Sequence, residues 1–497
     1  MQFESSGTAV EGEPTRMDLS YKIAEGQRVD VDRLIVTGLD HTRPYILQRQ
    51  FRIGAGAPFS QANMVESQRR LYNLGIFNQV DMAIQNPEGI EPRKNVLFNI
   101  AEAPRWTFRY GGGIEFATGN TPATNNPQGQ ASVSPNGVLE ITRLNMFGRD
   151  QTLSMRARVG LLTRRGLISY DAPRLFSRES WRFTASVFYD NTVNVNTFTS
   201  ERLEGSLGAQ QRFSRTTTFL YRMTYQRVRV DPASLVIDPG LIPLYSRPVR
   251  IAMPSFTWVR DTRDNPVNTL KGSYNLLDMG LATSALGSES NFGKILFQNS
   301  TYYAFHKKRW VFARNTQIGL EHPYGTNYYP GGSATAIPLP ELFFAGGGNS
   351  LRGFAINQAG PRDPQTGYPI GGQGLFVNNL ELRTPPVLLP YVADNMSFVF
   401  FHDMGNVFAS ANQILSGLVR FQQPSIASCK PANSSVGCNF SYNPQAIGIG
   451  VRYRTPVGPV RGDISYNFSP TQYPIRDQNT VQTLRHFNYF FSIGQTF

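Results

Sequence analysis

The segment Val460-Arg461-Gly462-Asp463-Ile464-Ser465-Tyr466-Asn467-Phe468 sets Val, Gly, Ile, Tyr and Phe on one face and Arg, Asp, Ser and Asn on the other. Successive side chains of a strand point to opposite sides. Such a segment therefore divides two media and cannot be buried on both faces. Residues 447 to 454 repeat the pattern, with Ile447, Ile449, Val451 and Tyr453 opposite Gly448, Gly450, Arg452 and Arg454. The last segment puts Phe487, Tyr489, Phe491, Ile493 and Phe497 on one side, and Gln495 alone breaks it. From Arg105 onward this period of two replaces any helical period, in segments of about ten residues, the length that crosses a bilayer as a tilted strand.

Roughly sixteen such segments occur, an even number as a closed antiparallel ring requires. They start near 105, 136, 150, 165, 180, 203, 217, 248, 271, 294, 309, 372, 397, 446, 458 and 487. Connections after odd segments are mostly long (118–135, 191–202, 229–247, 322–371, 409–445, 469–486). Those after even segments are mostly short (146–149, 214–216, 306–308). Long loops on one rim and short turns on the other are the habit of transmembrane barrels. A soluble sandwich or propeller has no reason to show that asymmetry.

Composition agrees with this reading without deciding it. Charged residues are 17% and aromatics 12%, while the mean hydropathy of −0.30 is what an oil-and-water alternation averages to. No apolar run approaches the roughly 18–20 residues of a spanning helix. The net charge of +13 comes from basic residues scattered along strands and loops, with no clustered face of the kind nucleic acid requires. Attraction to anionic lipid headgroups is the better use of that excess.

Chemistry is sparse. The five histidines, His41, His306, His322, His402 and His486, show no ligand spacing, and no nucleophile has a visible base, so no enzyme, metal or cofactor is expected. Cys429 and Cys438 share one polar loop and can close a small disulfide.

Before the barrel lies a different kind of sequence. Residues 17 to 25 alternate like a strand, with nothing ahead of them suited to pair. Val29 to Val36 alternates and stops at Gly38, Thr42 is placed to cap a helix with Pro44 in its first turn, and Ser60 to cap a second. Strands over 77–84 and 96–102 complete a β-α-α-β-β order, a small α+β domain over 28–104. Met1 to Gly7 lacks the apolar core of a secretory leader, and the expectation is that residues 1–27 are the tail of a truncated preceding module.

The longest loop holds Gly346-Gly347-Gly348-Asn349-Ser350-Leu351-Arg352-Gly353-Phe354, too rich in glycine for a strand or helix interior. Two later strands each supply an acid able to meet its arginine, Glu381 and Asp403. The expected picture is a loop folded back into a cavity with its arginine pinned to carboxylates on the wall.

Gly56-Ala57-Pro58-Phe59-Ser60 with Leu71 to Val80 resembles a POTRA domain, the periplasmic repeat that precedes outer-membrane assembly barrels. Leu351-Arg352-Gly353-Phe354 resembles the Val-Arg-Gly-Phe loop of BamA-type outer-membrane assembly factors, with leucine for the usual valine. In that family the loop enters the barrel and its arginine meets acids that Glu381 and Asp403 match. The resemblance covers nearly all of the chain from residue 28. It implies a mainly β fold, a 16-stranded antiparallel transmembrane β-barrel over 105–497 preceded by a POTRA domain in the periplasm of a Gram-negative cell. It implies also that the protein folds and inserts other outer-membrane proteins. Its expected partners are unfolded outer-membrane clients, periplasmic lipoproteins, and outer-membrane lipid with lipopolysaccharide. A translocation or secretion pore of the same superfamily, or a TamA-like autotransporter assembly factor, is the alternative. Gly111, Gly112 and Gly113 in the first strand and Phe497 at the end of the last mark an expected seam. Glycine there weakens packing, and an opened seam would offer unpaired N–H and C=O groups to an incoming strand.

Overall fold

The computed structural model describes residues 2–9, 17–24, 28–89, 91–118, 126–128, 131–161, 163–175, 178–266, 268–306, 310–325, 337–389, 393–424, 438–455, 458–475 and 478–493. The chain forms two compact units, Met1–Thr107 with Thr142–Leu153, and Phe108–Ile141 with Ser154–Phe497.

In the first unit β1 (Gln2–Ala9) pairs antiparallel with β2 (Met17–Ala24), from Gln2 opposite Ala24 to Ala9 opposite Met17. This corrects the expectation that nothing precedes residue 17 to pair with it. Backbone groups alone make that ladder, so the small polar side chains of β1 give little signal of it. β3 (Asp30–Thr37), α1 (Pro44–Gln48), α2 (Gln61–Tyr72), β4 (Phe77–Ile84) and β5 (Arg93–Glu102) follow in the expected order. β5 is central, parallel to β3 and antiparallel to β4. Leu71, Val80, Val96 and Phe98 form the buried heart of this layer. Ser60 caps α2, its Oγ accepting from the Asn63 amide at 3.3 Å. Thr42 does not cap α1. Arg43 takes the cap position without a side-chain bond, and the amides of His41 and Thr42 donate to Glu102 at 3.1 and 2.7 Å, so the carboxylate ending β5 fixes the residues ahead of the helix and caps none of its own amides.

The second unit is the barrel. Its strands are β6 (Trp106–Thr118), β7 (Ala131–Met146), β8 (Gln151–Gly160), β9 (Thr163–Pro173), β10 (Trp181–Val195), β11 (Phe198–Arg212), β12 (Thr217–Val230) and β13 (Val249–Asp261). Then come β14 (Gly272–Ala282), β15 (Phe292–Phe305), β16 (Trp310–Pro323), β17 (Gly374–Arg383) with its short continuation β18 (Val387–Leu389), and β19 (Ala393–Phe408). β20 (Gln445–Thr455), β21 (Gly458–Asn467) and β24 (Phe487–Ile493) complete it. A separate hairpin, β22 (Gln472–Ile475) and β23 (Thr480–Thr483), lies between the last two. Taking β17 and β18 as one stave, since both pair with β19, the described residues form sixteen staves in sequence order, closed by β24 beside β6.

The alternation resolves as inside and outside. Ile447, Ile449, Val451, Ile464, Phe487, Tyr489 and Phe491 are exposed on the outer face, while Asp463, Ser465 and Asn467 are buried within. One connection differs from expectation. Residues 191–202 are no long loop, because β10 and β11 continue as a paired hairpin with Thr192 opposite Ser200 and Val195 opposite Phe198. Beyond an apolar band both faces of a ribbon are wet, so Asp190-Asn191-Thr192 carries polar side chains on both sides and reads as loop.

Candidate functional site

The lumen is filled by the loop between β16 and β17, described from residue 337. Two bridges, Phe343 with Gly372 and Ala345 with Ala359, fold it on itself, and Phe343, Leu351, Phe354 and Ala359 make a small core with Leu375, Val377 and Val407 of the wall. Glycine is required where this core is tightest. A Cβ on Gly353 would stand 2.8 Å from the Cβ of Ala446, and Gly346, at φ +123°, lies where only glycine is unstrained.

At the tip Arg352 is 2% exposed. Its Nε and Nη2 donate to the two oxygens of Asp403 on β19, each at 2.7 Å, and its amide donates to the same carboxylate at 3.0 Å. Nη1 donates to Glu381 of β17 at 2.8 Å, and Glu381 also receives Arg383 at 2.9 Å. The guanidinium stacks 3.5 Å over the Phe401 ring. A bidentate carboxylate with an aromatic face below satisfies a guanidinium in geometry as well as charge. The structure thus brings Leu351, Arg352, Gly353, Phe354, Glu381 and Asp403 to one place. A cavity of about 300 Å³, lined by Tyr302, Asn315, Arg383 and Arg461 among others, opens beneath the ion cluster.

Other residues, which the sequence does not single out, also hold the tip. On β21, Arg461 donates to the Gly348 carbonyl at 2.6 Å, the Ser465 hydroxyl to the Arg352 carbonyl, and Asn467 to the Gly353 carbonyl at 3.0 Å. Asn488 of β24 reaches the same Gly353 carbonyl at 2.9 Å. Asp463, fully buried, receives Arg452 and Arg461. The polar face of β21, visible in the alternation, was the available signal. It says that these side chains face inward, but not that a loop 100 residues away supplies their acceptors.

A second anchor lies on other staves. Glu341 at the start of the loop accepts from Arg202 of β11 at 2.8 Å and Gln226 of β12 at 3.0 Å, while Lys294 of β15 donates to its carbonyl at 2.9 Å and pairs with Glu321 of β16 at 2.6 Å. Farther along the loop Arg362 is buried without an ion pair among the described residues. Its guanidinium donates to the Gly367 and Gln358 carbonyls and lies 4.4 Å from the Tyr473 ring on β22. Burial pulls its pKa down to about 10, which leaves it charged at neutral pH.

Of the expected seam, Gly111, Gly112 and Gly113 are exposed on β6, which neighbours β24. Phe497 lies outside the described residues. Cys438 is disulfide-bonded, and Cys429 lies outside the described residues.

Residues 145–497 match the Omp85 superfamily domain, and residues 29–103 match POTRA, described as a surface antigen variable number repeat. The chain is 23% identical to the outer membrane protein assembly factor BamA of Nitratidesulfovibrio vulgaris over 99% of its own length and 54% of that protein. It is 23% identical to a SAM50-like protein of Schizosaccharomyces pombe, covering 89% of this chain and 88% of the relative. The chain spans about half the length of the BamA relatives from N. vulgaris and Neorickettsia risticii that it matches. The crystal structure of BamA from Haemophilus ducreyi lacking POTRA domains 1-3 superposes with a TM-score of 0.73 at 17% identity, covering 98% of this chain and 88% of that one.

Proposed function

Because the chain belongs to the Omp85 superfamily, we propose that it is an outer-membrane β-barrel assembly and insertion factor, with its POTRA domain in the periplasm. Names of relatives in bacteria and eukaryotes support the assembly reading. The observation that carries it is the lumen clamp. Arg352 and its neighbours tie one loop to β17, β19, β21 and β24, so the staves leading up to the seam are braced from within. A braced wall next to a glycine-bearing first strand leaves the β24–β6 junction as the place to open.

In this mechanism opening exposes N–H and C=O groups of β6 and β24, which an incoming strand pairs with before lipid meets them bare. No nucleotide is needed, since new pairs replace broken ones and the client's apolar faces gain lipid contact. Periplasmic lipoproteins and lipopolysaccharide belong to the proposal as partners.

The test is to reconstitute the protein in liposomes and time the folding of an unfolded barrel client. Faster folding than in empty liposomes is expected. A disulfide tethering β6 to β24 that left the rate unchanged would overturn the seam mechanism. A steady, large conductance without client folding would favour the secretion-pore alternative instead.

A further inference from the structure

The outer wall of the barrel carries a polar row that the lumen clamp does not use. Asn379 faces inward, donating to the Ser350 carbonyl of the loop at 2.7 Å, so its neighbour Asn378 faces out. Directly paired residues share a face. Asn378 pairs with Thr316, Thr316 with Asn299, Asn299 with Asn275, and Asn275 with Arg260. Five adjacent strands, β13 to β17, therefore carry Arg260, Asn275, Asn299, Thr316 and Asn378 on their outward side, with Asn378 at the β17 end buried. Asn299 donates to Asn275 at 2.7 Å and Thr316 to Asn378 at 2.8 Å. The paired row on one side of it is Trp258, Leu277, Phe297, Ile318 and Phe376, apolar throughout. On the other side Ser273, Thr301 and Arg314 pair in turn.

Position along the strand decides what this row means. The outward face of β16 reads Trp310, Phe312, Arg314, Thr316, Ile318, Leu320. Ten residues at about 3.3 Å each, tilted by about 40°, rise roughly 25 Å, the height of a barrel's apolar band. Arg314 thus sits inside that band and not at its rim, flanked by aromatic and aliphatic neighbours on its own strand. It is exposed, and its guanidinium makes one hydrogen bond, from Nη2 to Asn299 Oδ1 at 2.6 Å, with no ion pair among the described residues. An arginine facing hydrocarbon with most of its donors unused is costly unless an anion comes to it. The row also leads somewhere. Arg260 is one residue from the end of β13 and Ser273 one from the start of β14, both at the rim of short turns.

We propose that Arg314, with Asn299 and Thr301 beside it, binds the phosphate of a phospholipid from the leaflet at the short-turn rim, drawn up the wall along this polar row. Whichever Nη2 proton Asn299 takes, the other stands parallel to the N–H of Nε or of Nη1, so the guanidinium still offers a phosphate two parallel donors, beside a Thr301 hydroxyl that donates to Asn299 at 3.3 Å. The neighbouring Tyr303, Phe305 and Trp310 are suited to the acyl chains that follow. A second copy of the chain is the poorer occupant, since a two-fold contact through this face would set Arg260 and Arg314 against their own images. The inference rests on the transmembrane reading of the barrel and not on its assembly activity.

The test uses the full chain in phosphatidylglycerol vesicles, with a nitroxide on Phe312→Cys, two residues from Arg314 on the same exposed face. Heat-modifiable migration of the reconstituted protein first establishes that the barrel has folded into the bilayer, independently of any client. Collision rates with oxygen and with a water-soluble nickel complex then report depth. Nickel access severalfold higher with Arg314 in place than in Arg314→Leu is expected, with Arg314→Lys intermediate and Asn299→Leu lowered in the same direction. Equal access in the native chain and both leucine variants overturns the proposal. Low access to both reagents in the native chain also overturns it, because it means that protein covers this face.

Discussion

Arg352 and Asp403 meet edge to edge, with two side-chain donors and one amide of the loop residue on the two oxygens of a single carboxylate. Asp403 is 1% exposed and Arg352 2%, so loss of either partner leaves the other charge largely desolvated. The asymmetry of a buried pair follows, in that breaking it costs more than forming it contributes.

Arg352→Ala is accordingly expected to destabilise the seated loop by about 3–5 kcal/mol, nearer the lower figure because the adjoining cavity has room for water. Client folding should slow and protease cleavage of the loop should rise. Limited proteolysis beside a liposome folding assay checks both, and unchanged cleavage would count against a pinned loop.

Gly353 tests the same seat without touching charge. Gly353→Ala places a Cβ 2.8 Å from the Cβ of Ala446, a methyl that can move only with its own backbone. A loss of about 1–3 kcal/mol is expected from such overpacking. The double variant Gly353→Ala, Ala446→Gly should recover part of it, read as the midpoint of heat-modifiable migration.

Glu341 should behave as a second, separate anchor. Glu341→Ala removes the acceptor of Arg202 and Gln226, and its effect on loop proteolysis should be comparable in direction to that of Arg352→Ala. The two anchors lie on different staves and share no partner. Their effects are therefore expected to add within about 0.5 kcal/mol in a double-mutant cycle. A large interaction term would mean that the loop seats as one rigid body.

Glu102 gives the POTRA domain a pH dependence. Burial alone raises its carboxyl, but the bonds from Thr42 and then His41 outweigh it and hold the pKa below its ordinary 4.5. A depressed folded value means that the contribution to stability is complete above 4.5 and is lost as pH falls through the lower folded value. Protection of the His41 and Thr42 amides from exchange, relative to the unfolded chain at the same pH, should fall in that acid window. In Glu102→Gln that protection should be lower already at pH 7 and change little with pH.

How far the sequence reached depended on the range of each interaction. Period-two alternation is local, and the strands expected near 105, 217, 458 and 487 begin at Trp106, Thr217, Gly458 and Phe487. The Ser60 cap is likewise local, settled within four residues. The same rule of sides marked Asp463, Ser465 and Asn467 as inward-facing without saying what they would touch.

Where two segments far apart had to agree, only the folded chain decided. β1 pairs with β2 through backbone groups that side chains do not announce, and β10–β11 runs on past the band because a wet ribbon looks like a loop. Glu341 finds Arg202 and Gln226 more than a hundred residues away in sequence, and Gly353 finds Asn467 and Asn488 at similar separations. Alternation determined which way each side chain faces, because that is set by the strand's own geometry. Which inward residue meets which loop atom was decided by ring closure and register, which bring distant staves into a shared lumen only once the whole barrel exists.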